Sequence, residues 1–249
     1  MKLAYGKEIP VSIPELLDPK RSALLIIDVQ NDYAKKNGQL LFPKLVKNLA
    51  RLVKAARRTG ILILYIQDTL RRDRLSDSPA LLRRYMLGES KKSLAELSAL
   101  DGTVGQQIID EICPQRNEIV IKKFRSSAFV GTGLDLILRS NNVRTTIVTG
   151  LHTEKCVEST CRDASNEYFV VVAEDCVVSD RRELHAACMR IMKSRYEVLT
   201  SDKILEAWTR QAQRAEPDVI GSHRRARTLL AMDISESPMG RLEKVHRSG

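Results

Sequence analysis

Short apolar runs alternate with amphipathic stretches along most of the chain. The run from Ala23 to Ile27 is continuously apolar and ends in Asp28, as expected for a strand buried on both faces of a parallel sheet. From Leu45 to Arg58 the apolar positions recur every three or four residues, which predicts an amphipathic helix that stops at Gly60. This alternation is typical of βαβ units around a parallel sheet.

The same pattern continues to about residue 213. Further strands are predicted at Ile61–Ile66, Glu118–Lys122, Thr145–Thr149, Phe169–Ala173 and Tyr196–Leu199. Further helices are predicted at Asp101–Ile112, Gly133–Ser140, Glu154–Glu167, Arg181–Ser194 and from Ser201 onward. Six strands separated by helices predict an α/β fold, a three-layer αβα sandwich around a six-stranded, mostly parallel, doubly wound sheet with right-handed crossovers.

Two segments interrupt this pattern. Residues 69–100 form a polar, basic stretch that is long for a connection, so we expect a lid or a partner-facing insertion. After residue 213 the periodicity weakens, and prolines and glycines punctuate the chain. We therefore predict one domain over residues 1–213, and a tail over 214–249 that is partly disordered or wraps a neighbouring subunit.

Composition narrows the class of protein. The 249 residues are 43% hydrophobic and 29% charged, as in ordinary globular proteins. No apolar run approaches the roughly 20 residues of a membrane helix, and the start lacks a secretory signal, so we expect a cytoplasmic protein without membrane contact. The five cysteines are odd in number and scattered, so neither a disulfide framework nor a structural zinc site is expected.

The formal net charge of +10 raises the question of a nucleic-acid partner. The basic residues fall in short separate clusters, and no aromatic residues interleave with them as a stacking platform would require. We therefore interpret them as solvated surface and do not expect nucleic-acid binding. A basic scaffold that binds nucleic acid or a protein partner through the insertion and tail is the alternative from a non-enzymatic class.

Three reactive side chains follow three different predicted strands. Asp28 follows the first strand, Lys122 and Lys123 lie at the end of the third, and Cys156 follows the fourth near the start of a helix. Because ligands of open α/β sheets bind beyond the carboxyl ends of the strands, an acid, a cation and a thiol should meet there. Such a set suits an activated nucleophile, although each residue alone is also compatible with a turn, a solvated cation or core packing.

Four blocks of sequence stand in one order: ALLIIDVQNDY, GTVGQQIIDEICP, VIKKFRSSAFVGTGLDLILR and VTGLHTEKCVESTCRDA. Together they resemble the isochorismatase-like hydrolases, a family that includes nicotinamidases, N-carbamoylsarcosine amidases and ureidoacrylate amidases. The resemblance covers about Ser22 to Leu205 and leaves out the basic insertion and the tail. It implies a homo-oligomer, a dimer or a tetramer, that acts on a small-molecule substrate.

The resemblance also assigns roles to residues. Cys156 matches the nucleophile, Asp28 the catalytic acid, and Lys123 the supporting cation, since it stands four residues before the Ser127-Ala128-Phe129 block. A cis Leu151–His152 peptide is implied, with the backbone N–H groups of His152 and Cys156 as oxyanion donors. The candidate substrate-binding residues are Tyr33, Asp68, Ser127 and Phe129, of which Tyr33 and Phe129 are equally compatible with core positions.

The expected reaction is hydrolysis of the C–N bond of a small amide, ureido or carbamoyl compound through a cysteine thioester. We expect the helix N-terminus and Lys123 to favour the thiolate of Cys156. Asp28 would accept the thiol proton and pass it to the leaving nitrogen, so that ammonia or an amine departs. The alternative within the family is vinyl ether hydrolysis of the isochorismatase type, which does not use a cysteine nucleophile.

Nicotinamidases of this family commonly bind a metal through an aspartate and histidines after the second strand. Asp68 stands at the position of that aspartate, but Leu70 replaces the next histidine and no histidine precedes His152. We therefore expect no metal and no other cofactor. A substrate carboxylate held by Arg125 or by the arginines of the insertion is a hypothesis, and His185 is interpreted as structural.

Overall fold

The structure, a computed structural model, describes residues 1–87 and 98–213. Its strands are β1 (Lys2–Ala4), β2 (Lys7–Ile9), β3 (Ser22–Ile27), β4 (Lys35–Lys36), β5 (Gln39–Leu40), β6 (Leu62–Asp68), β7 (Ile119–Lys123), β8 (Thr145–Leu151), β9 (Phe169–Val178) and β10 (Glu197–Leu199). Its helices are α1 (Ile13–Leu16), α2 (Asn31–Ala34), α3 (Pro43–Thr59), α4 (Pro79–Leu87), α5 (Leu134–Ser140), α6 (Glu158–Ala164), α7 (Arg182–Arg195) and α8, which begins at 201 and is described to 213.

Six of the strands form a central parallel sheet in the order β10-β9-β8-β3-β6-β7. Strand β3, the first of the six along the chain, lies in the middle, and the chain builds outward from it in both directions. The predicted αβα sandwich with a doubly wound sheet is confirmed. In such sheets the crevice for a ligand opens where the strand order reverses, which here is beyond the carboxyl ends of β3 and β8.

The sheet separates two hydrophobic clusters, as the continuously apolar strands require. In β3 the side chains of Leu24 and Ile26 belong to one cluster, and those of Leu25 and Ile27 belong to the other. Helices α3 and α8 cover the first face, and helices α5, α6 and α7 cover the second. The helix predicted from Leu45 to Arg58 is present as α3 and ends at Gly60, which has a φ of +73°.

The helix predicted at Asp101–Ile112 is wrong. This segment forms turns and a short 3₁₀ helix at Asp110–Ile112. Its backbone pairs with the loop after β3 instead, since the N–H groups of Asn31 and Asp32 donate to the carbonyls of Gln107 and Gly105. Gly105 permits this approach, because a Cβ there would lie 2.1 Å from an Asp32 carboxylate oxygen. The isoleucines of this segment, Ile108, Ile109 and Ile112, are buried, but turns and a short 3₁₀ helix hold them.

Other boundaries differ more modestly. The helix predicted at Glu154–Glu167 begins as a π-helical turn, Thr153–Val157, and continues as α6, and β9 extends five residues beyond the predicted Ala173. The insertion contains helix α4, and its base is closed where Leu70 pairs with Leu100. Residues 88–97 and 214–249 lie outside the described residues, so the predictions for the tail remain predictions. Within the described ranges no helix is long and apolar enough to cross a membrane.

Candidate active site

Asp28 lies at the carboxyl end of the central strand β3. Its φ of +54° is in the left-handed region, which Asp tolerates better than most residues, and its backbone N–H donates to the carbonyl of Ile66 at 2.9 Å. The residue is only 1% exposed. The Asp28 carboxylate is therefore a buried anion, and it requires polar partners.

Lys123, the last residue of β7, supplies the cation. Its side chain is fully buried, and its Nζ lies 2.9 Å from Asp28 Oδ2, 3.1 Å from Asp68 Oδ1 and 3.3 Å from Cys156 Sγ. The neighbouring Lys122 points to the other face of the strand, as the two-residue period requires, and pairs with Asp101 in an exposed contact at 2.7 Å. The structure thus brings Lys123, and not Lys122, to the acid and the thiol.

Cys156 approaches from the other side, in the π-helical turn after β8. Its Sγ lies 3.3 Å from Lys123 Nζ, and the Asp28 carboxylate is close enough to act on the thiol electrostatically. Gly150 makes this approach possible, because it has a φ of +120° and a Cβ there would lie 2.0 Å from the carbonyl oxygen of Ile27. The glycine lets β8 lie against β3 one residue before Asp28, at a register irregularity between β8 and β9.

Thr160 fastens the Cys156 turn to the loop after β7. The buried Thr160 hydroxyl donates to the carbonyl of Cys156 at 2.7 Å and accepts from the backbone N–H of Ala128 at 3.0 Å. At the start of the same turn, Thr153 Oγ1 hydrogen-bonds Nδ1 of His185 at 2.9 Å. Sequence reasoning did not single out Thr160, since a threonine four residues after a cysteine in a helix is unremarkable by itself.

Asp68, the last residue of β6, adds a second carboxylate to the cluster. Its backbone N–H donates to Asp28 Oδ1 at 3.0 Å, and its Oδ2 accepts from the Tyr33 hydroxyl at 2.7 Å. Gln30, which is fully buried, accepts from the Asp68 N–H and donates to the Asp68 carbonyl and to that of Gln106. Sequence reasoning missed Gln30, whose only signal was its place just after a buried strand.

Burial is the largest single influence on the pKa of each of the three central groups, but it sets the direction of the shift only for Asp28 and Cys156. It raises the pKa of Asp28 to about 6, with the Lys123 ammonium opposing the rise and the Asp68 carboxylate adding to it. Burial alone would lower the pKa of Lys123, but Asp28, Cys156 and Asp68 together raise it above its ordinary value. Near pH 7 the site therefore holds an ionised Asp28 and a protonated Lys123.

The effect of Lys123 on the Cys156 thiol has the predicted sign, since the ammonium lowers the thiol pKa, but other effects outweigh it. Burial, followed by the charge of Asp28, raises the pKa of the Cys156 thiol well above its ordinary value, and Lys123 opposes this only in part. The physical reason is that a thiolate here would be buried and would lie near the Asp28 and Asp68 carboxylates, and the single ammonium offsets only part of that cost. The raised pKa favours the neutral thiol at Cys156, near a carboxylate that has the basicity to take its proton.

The remaining predicted site residues are Tyr33, His152, Ser127 and Phe129. The Tyr33 ring meets the His152 ring edge-on at 5.6 Å, and burial lowers the pKa of His152, so its imidazole is neutral near pH 7. The peptide bond between Leu151 and His152 is cis. Ser127 Oγ accepts from the N–H of Phe129, and the Phe129 ring stacks on Tyr168 beside the second hydrophobic cluster.

The polar groups near Asp68 do not fit a metal ion. Both Asp68 oxygens are engaged, one by Lys123 and the other by Tyr33, and the buried Leu70 stands two residues later. In the part of the chain that the structure describes, no group of three or more His, Cys, Asp or Glu residues is placed to hold a metal.

The Arg125 guanidinium donates to the carbonyl of Ser76 at 2.9 Å and so links the insertion to the segment that follows β7.

Comparison with known proteins matches this chain to one family. The model of the isochorismatase domain matches residues 22–203. Ureidoacrylate amidohydrolase RutB of Klebsiella pneumoniae is 35% identical over 179 residues, which cover 65% of this chain and 76% of that protein. N-carbamoylsarcosine amidase from Thermoplasma acidophilum is 28% identical, with a TM-score of 0.58 over 73% of this chain and 97% of that one. An isochorismatase-like hydrolase from Alkaliphilus metalliredigens is 28% identical, with a TM-score of 0.62 over 76% and 99% of the two chains.

Proposed function

Because the chain belongs to the isochorismatase family of hydrolases, we propose that it cleaves the C–N bond of a small amide, ureido or carbamoyl compound. The observation that carries the proposal is that the Asp28 carboxylate and the Cys156 thiol meet at one buried ammonium, Lys123 Nζ, at 2.9 and 3.3 Å. Two similar proteins, a ureidoacrylate amidohydrolase and an N-carbamoylsarcosine amidase, are by name enzymes that act on such compounds. A thiol with an adjacent base is the arrangement that acyl transfer from an amide requires.

In the first half of the proposed reaction, Asp28 takes the proton of the Cys156 thiol as Sγ attacks the carbonyl carbon. The pKa of Asp28, raised by burial to about 6, leaves it ionised at neutral pH yet more basic than an ordinary carboxylate. The backbone N–H groups of His152 and Cys156 are the proposed donors to the oxyanion, each with a contribution of about 3 kcal/mol to the barrier. Lys123 keeps its proton throughout and holds Asp28 beside the sulfur.

In the second half, the tetrahedral intermediate collapses and the C–N bond breaks. Asp28 passes the proton to the departing nitrogen, which leaves as ammonia or an amine, and a thioester remains on Cys156. Water then attacks the thioester carbon, with Asp28 again accepting a proton, and the Cys156 sulfur leaves as the acid is released. The thiol regains its proton from Asp28, so the cycle consumes one amide and one water.

The proposed substrate pocket includes Tyr33, Asp68, Ser127 and Phe129. Support is strongest for Tyr33 and Asp68, which contact each other and lie beside Lys123 and His152. Ser127 and Phe129 belong to the loop that Thr160 links to the Cys156 turn through Ala128.

The family resemblance also supports a homo-oligomer, a dimer or a tetramer. Light scattering after size-exclusion chromatography would measure the number of subunits.

The test is release of ammonia or amine from a panel of small amides, ureas and carbamoyl compounds. We expect wild type to turn over at least one of them and Cys156→Ala to turn over none. Cys113→Ala is the matched control, because Cys113 is an exposed free cysteine, and it should retain wild-type turnover. Equal turnover by Cys156→Ala would overturn the mechanism. Turnover of a vinyl ether but of no amide would favour isochorismatase-type chemistry.

A further inference from the structure

Two carboxylates compete for one buried ammonium in this site. Lys123 Nζ lies 2.9 Å from Asp28 Oδ2 and 3.1 Å from Asp68 Oδ1, and the lysine is fully buried. Nothing in the hydrolytic mechanism requires the second carboxylate, because Asp28 alone exchanges protons with Cys156. Nor is Asp68 needed merely to neutralise Lys123, since Asp28 already does so.

Every polar atom of Asp68 has a hydrogen-bond or ion-pair partner. The Tyr33 hydroxyl donates to Oδ2 at 2.7 Å, and the Asp68 backbone N–H donates to Asp28 Oδ1 and to Gln30 Oε1. The Gln30 amide closes the set by donating to the Asp68 carbonyl at 2.9 Å. A side chain fixed so completely next to the reacting groups has a defined electrostatic effect on them.

We propose that Asp68 is a positioning residue of the hydrolytic site, whose charge divides the Lys123 ammonium between two carboxylates and thereby keeps Asp28 basic and Cys156 a neutral thiol. The inference rests on the proposed function in one respect, that Cys156 is the nucleophile. If Asp68 were neutral, Lys123 would interact with Asp28 alone and would hold it ionised to lower pH. A weaker base would then accept the thiol proton during attack.

The surroundings single out Asp68 as the charge responsible. Tyr33 from α2 and His152 from the end of β8 face the carboxylate, and both are neutral near pH 7, because burial raises the pKa of Tyr33 and lowers that of His152. In the part of the chain that the structure describes, the Asp68 carboxylate pairs with Lys123 and acts on Asp28 and Cys156, which are the reacting groups themselves. After burial and the direct interactions among those three, the Asp68 charge further raises the pKa of both Asp28 and Cys156.

The substitution Asp68→Asn removes the charge and preserves the contacts. Its amide oxygen can accept from Lys123 while its amide N–H donates to the Tyr33 oxygen, so the same side-chain shape is retained. Asp68→Glu keeps the charge and serves as the conservative rescue. Asp101→Asn is the matched control, because it removes an exposed carboxylate from the neighbouring Lys122.

The readout is the rate at which iodoacetamide alkylates Cys156 as a function of pH, followed on the Cys156 peptide by mass spectrometry in the full-length protein. For Asp68→Asn we expect the profile to move to lower pH by about one pH unit, as removal of a nearby like charge predicts. The acid limb of amide turnover should move in the same direction. Asp68→Glu and Asp101→Asn should follow the wild-type alkylation profile.

Two outcomes would overturn the inference. One is an alkylation profile of Asp68→Asn that superimposes on that of wild type. The other is an equal shift in Asp68→Glu, which would indicate that the packing of the side chain matters rather than its charge. Alkylation needs no substrate, so a wild type that hydrolyses no amide would count against the proposed function and would leave this result interpretable.

Discussion

The substitution Asp28→Asn tests the electrostatics of the site through protein stability. Burial raises the pKa of Asp28 from its usual 3.8 to about 6. The folded protein therefore binds the Asp28 proton more tightly than the unfolded chain does. The stability contributed by the protonated carboxyl is fully present below pH 3.8 and is lost as the pH rises through about 6.

The magnitude follows from the same values. A rise of about two pKa units, at about 1.4 kcal/mol each, corresponds to about 3 kcal/mol at neutral pH. Asp28→Asn cannot ionise, so relative to this variant the unfolding free energy of wild type should fall by about 2 to 3 kcal/mol between about pH 4 and about pH 8. The variant also places an amide N–H against a donor, either Lys123 or the Asp68 N–H, which adds an offset that does not depend on pH.

The assay is urea denaturation of both proteins at a series of pH values, followed by the fluorescence of Trp208. It is the single tryptophan of the chain and is 1% exposed. A difference between wild type and variant that stays constant with pH, or that grows in favour of wild type as the pH rises, would refute the reasoning. Independently, turnover by Asp28→Asn should fall about 100- to 10,000-fold, as loss of a general base predicts.

Three further substitutions test the surroundings of the site. Lys123→Met should lower the unfolding free energy, measured by urea denaturation, by about 3 to 5 kcal/mol, because it leaves two carboxylates without their buried cation. Lys122→Met, at an exposed lysine, should lower it by about 1 kcal/mol or less. Similar losses in the two variants would contradict the role assigned to the buried cation. Gly150→Ala should lower the melting temperature far more than Gly131→Ala. A Cβ at residue 150 would lie 2.0 Å from a β3 carbonyl oxygen, whereas a Cβ at residue 131 would meet nothing within 4 Å. Comparable decreases in melting temperature would argue against the close approach of β8 to β3. Thr160→Val should lower the unfolding free energy by about 1 to 3 kcal/mol and should also lower kcat, since the backbone N–H of Ala128 loses its acceptor. An unchanged kcat would show that the Cys156 turn is positioned without the Thr160 hydroxyl.

The fold was predictable because its strands are buried on both faces. All six residues of β3 are buried, and five of them, from Ala23 to Ile27, form a continuous apolar run. In helix α3 the buried residues recur every three or four positions, so the sequence shows which face is buried. The segment from Asp101 to Ile112 could not be predicted in this way. Its isoleucines are buried at helix-like intervals, but its backbone hydrogen bonds go to the loop after β3, a partner distant in sequence.

The candidate site was likewise predictable only in part. Parallel strands deliver the residues at their carboxyl ends to one edge, so the meeting of Asp28, Lys123 and Cys156 follows from chain order once the sheet is predicted. The protonation state of Cys156 does not follow, because it depends first on how deeply the thiol is buried and then on the charges around it. The second carboxylate among those charges became visible only when the structure placed Asp68 beside Lys123.

The most direct test of the central claim is to trap the thioester with hydroxylamine during turnover of the best amide substrate. Hydroxylamine competes with water for a thioester, so wild type should convert part of the substrate to the hydroxamate and the remainder to the acid. The hydroxamate should be absent with Cys156→Ala, which lacks the thiol. Formation of the acid alone by wild type, at any hydroxylamine concentration, would indicate direct attack of water on the amide and would contradict catalysis through Cys156.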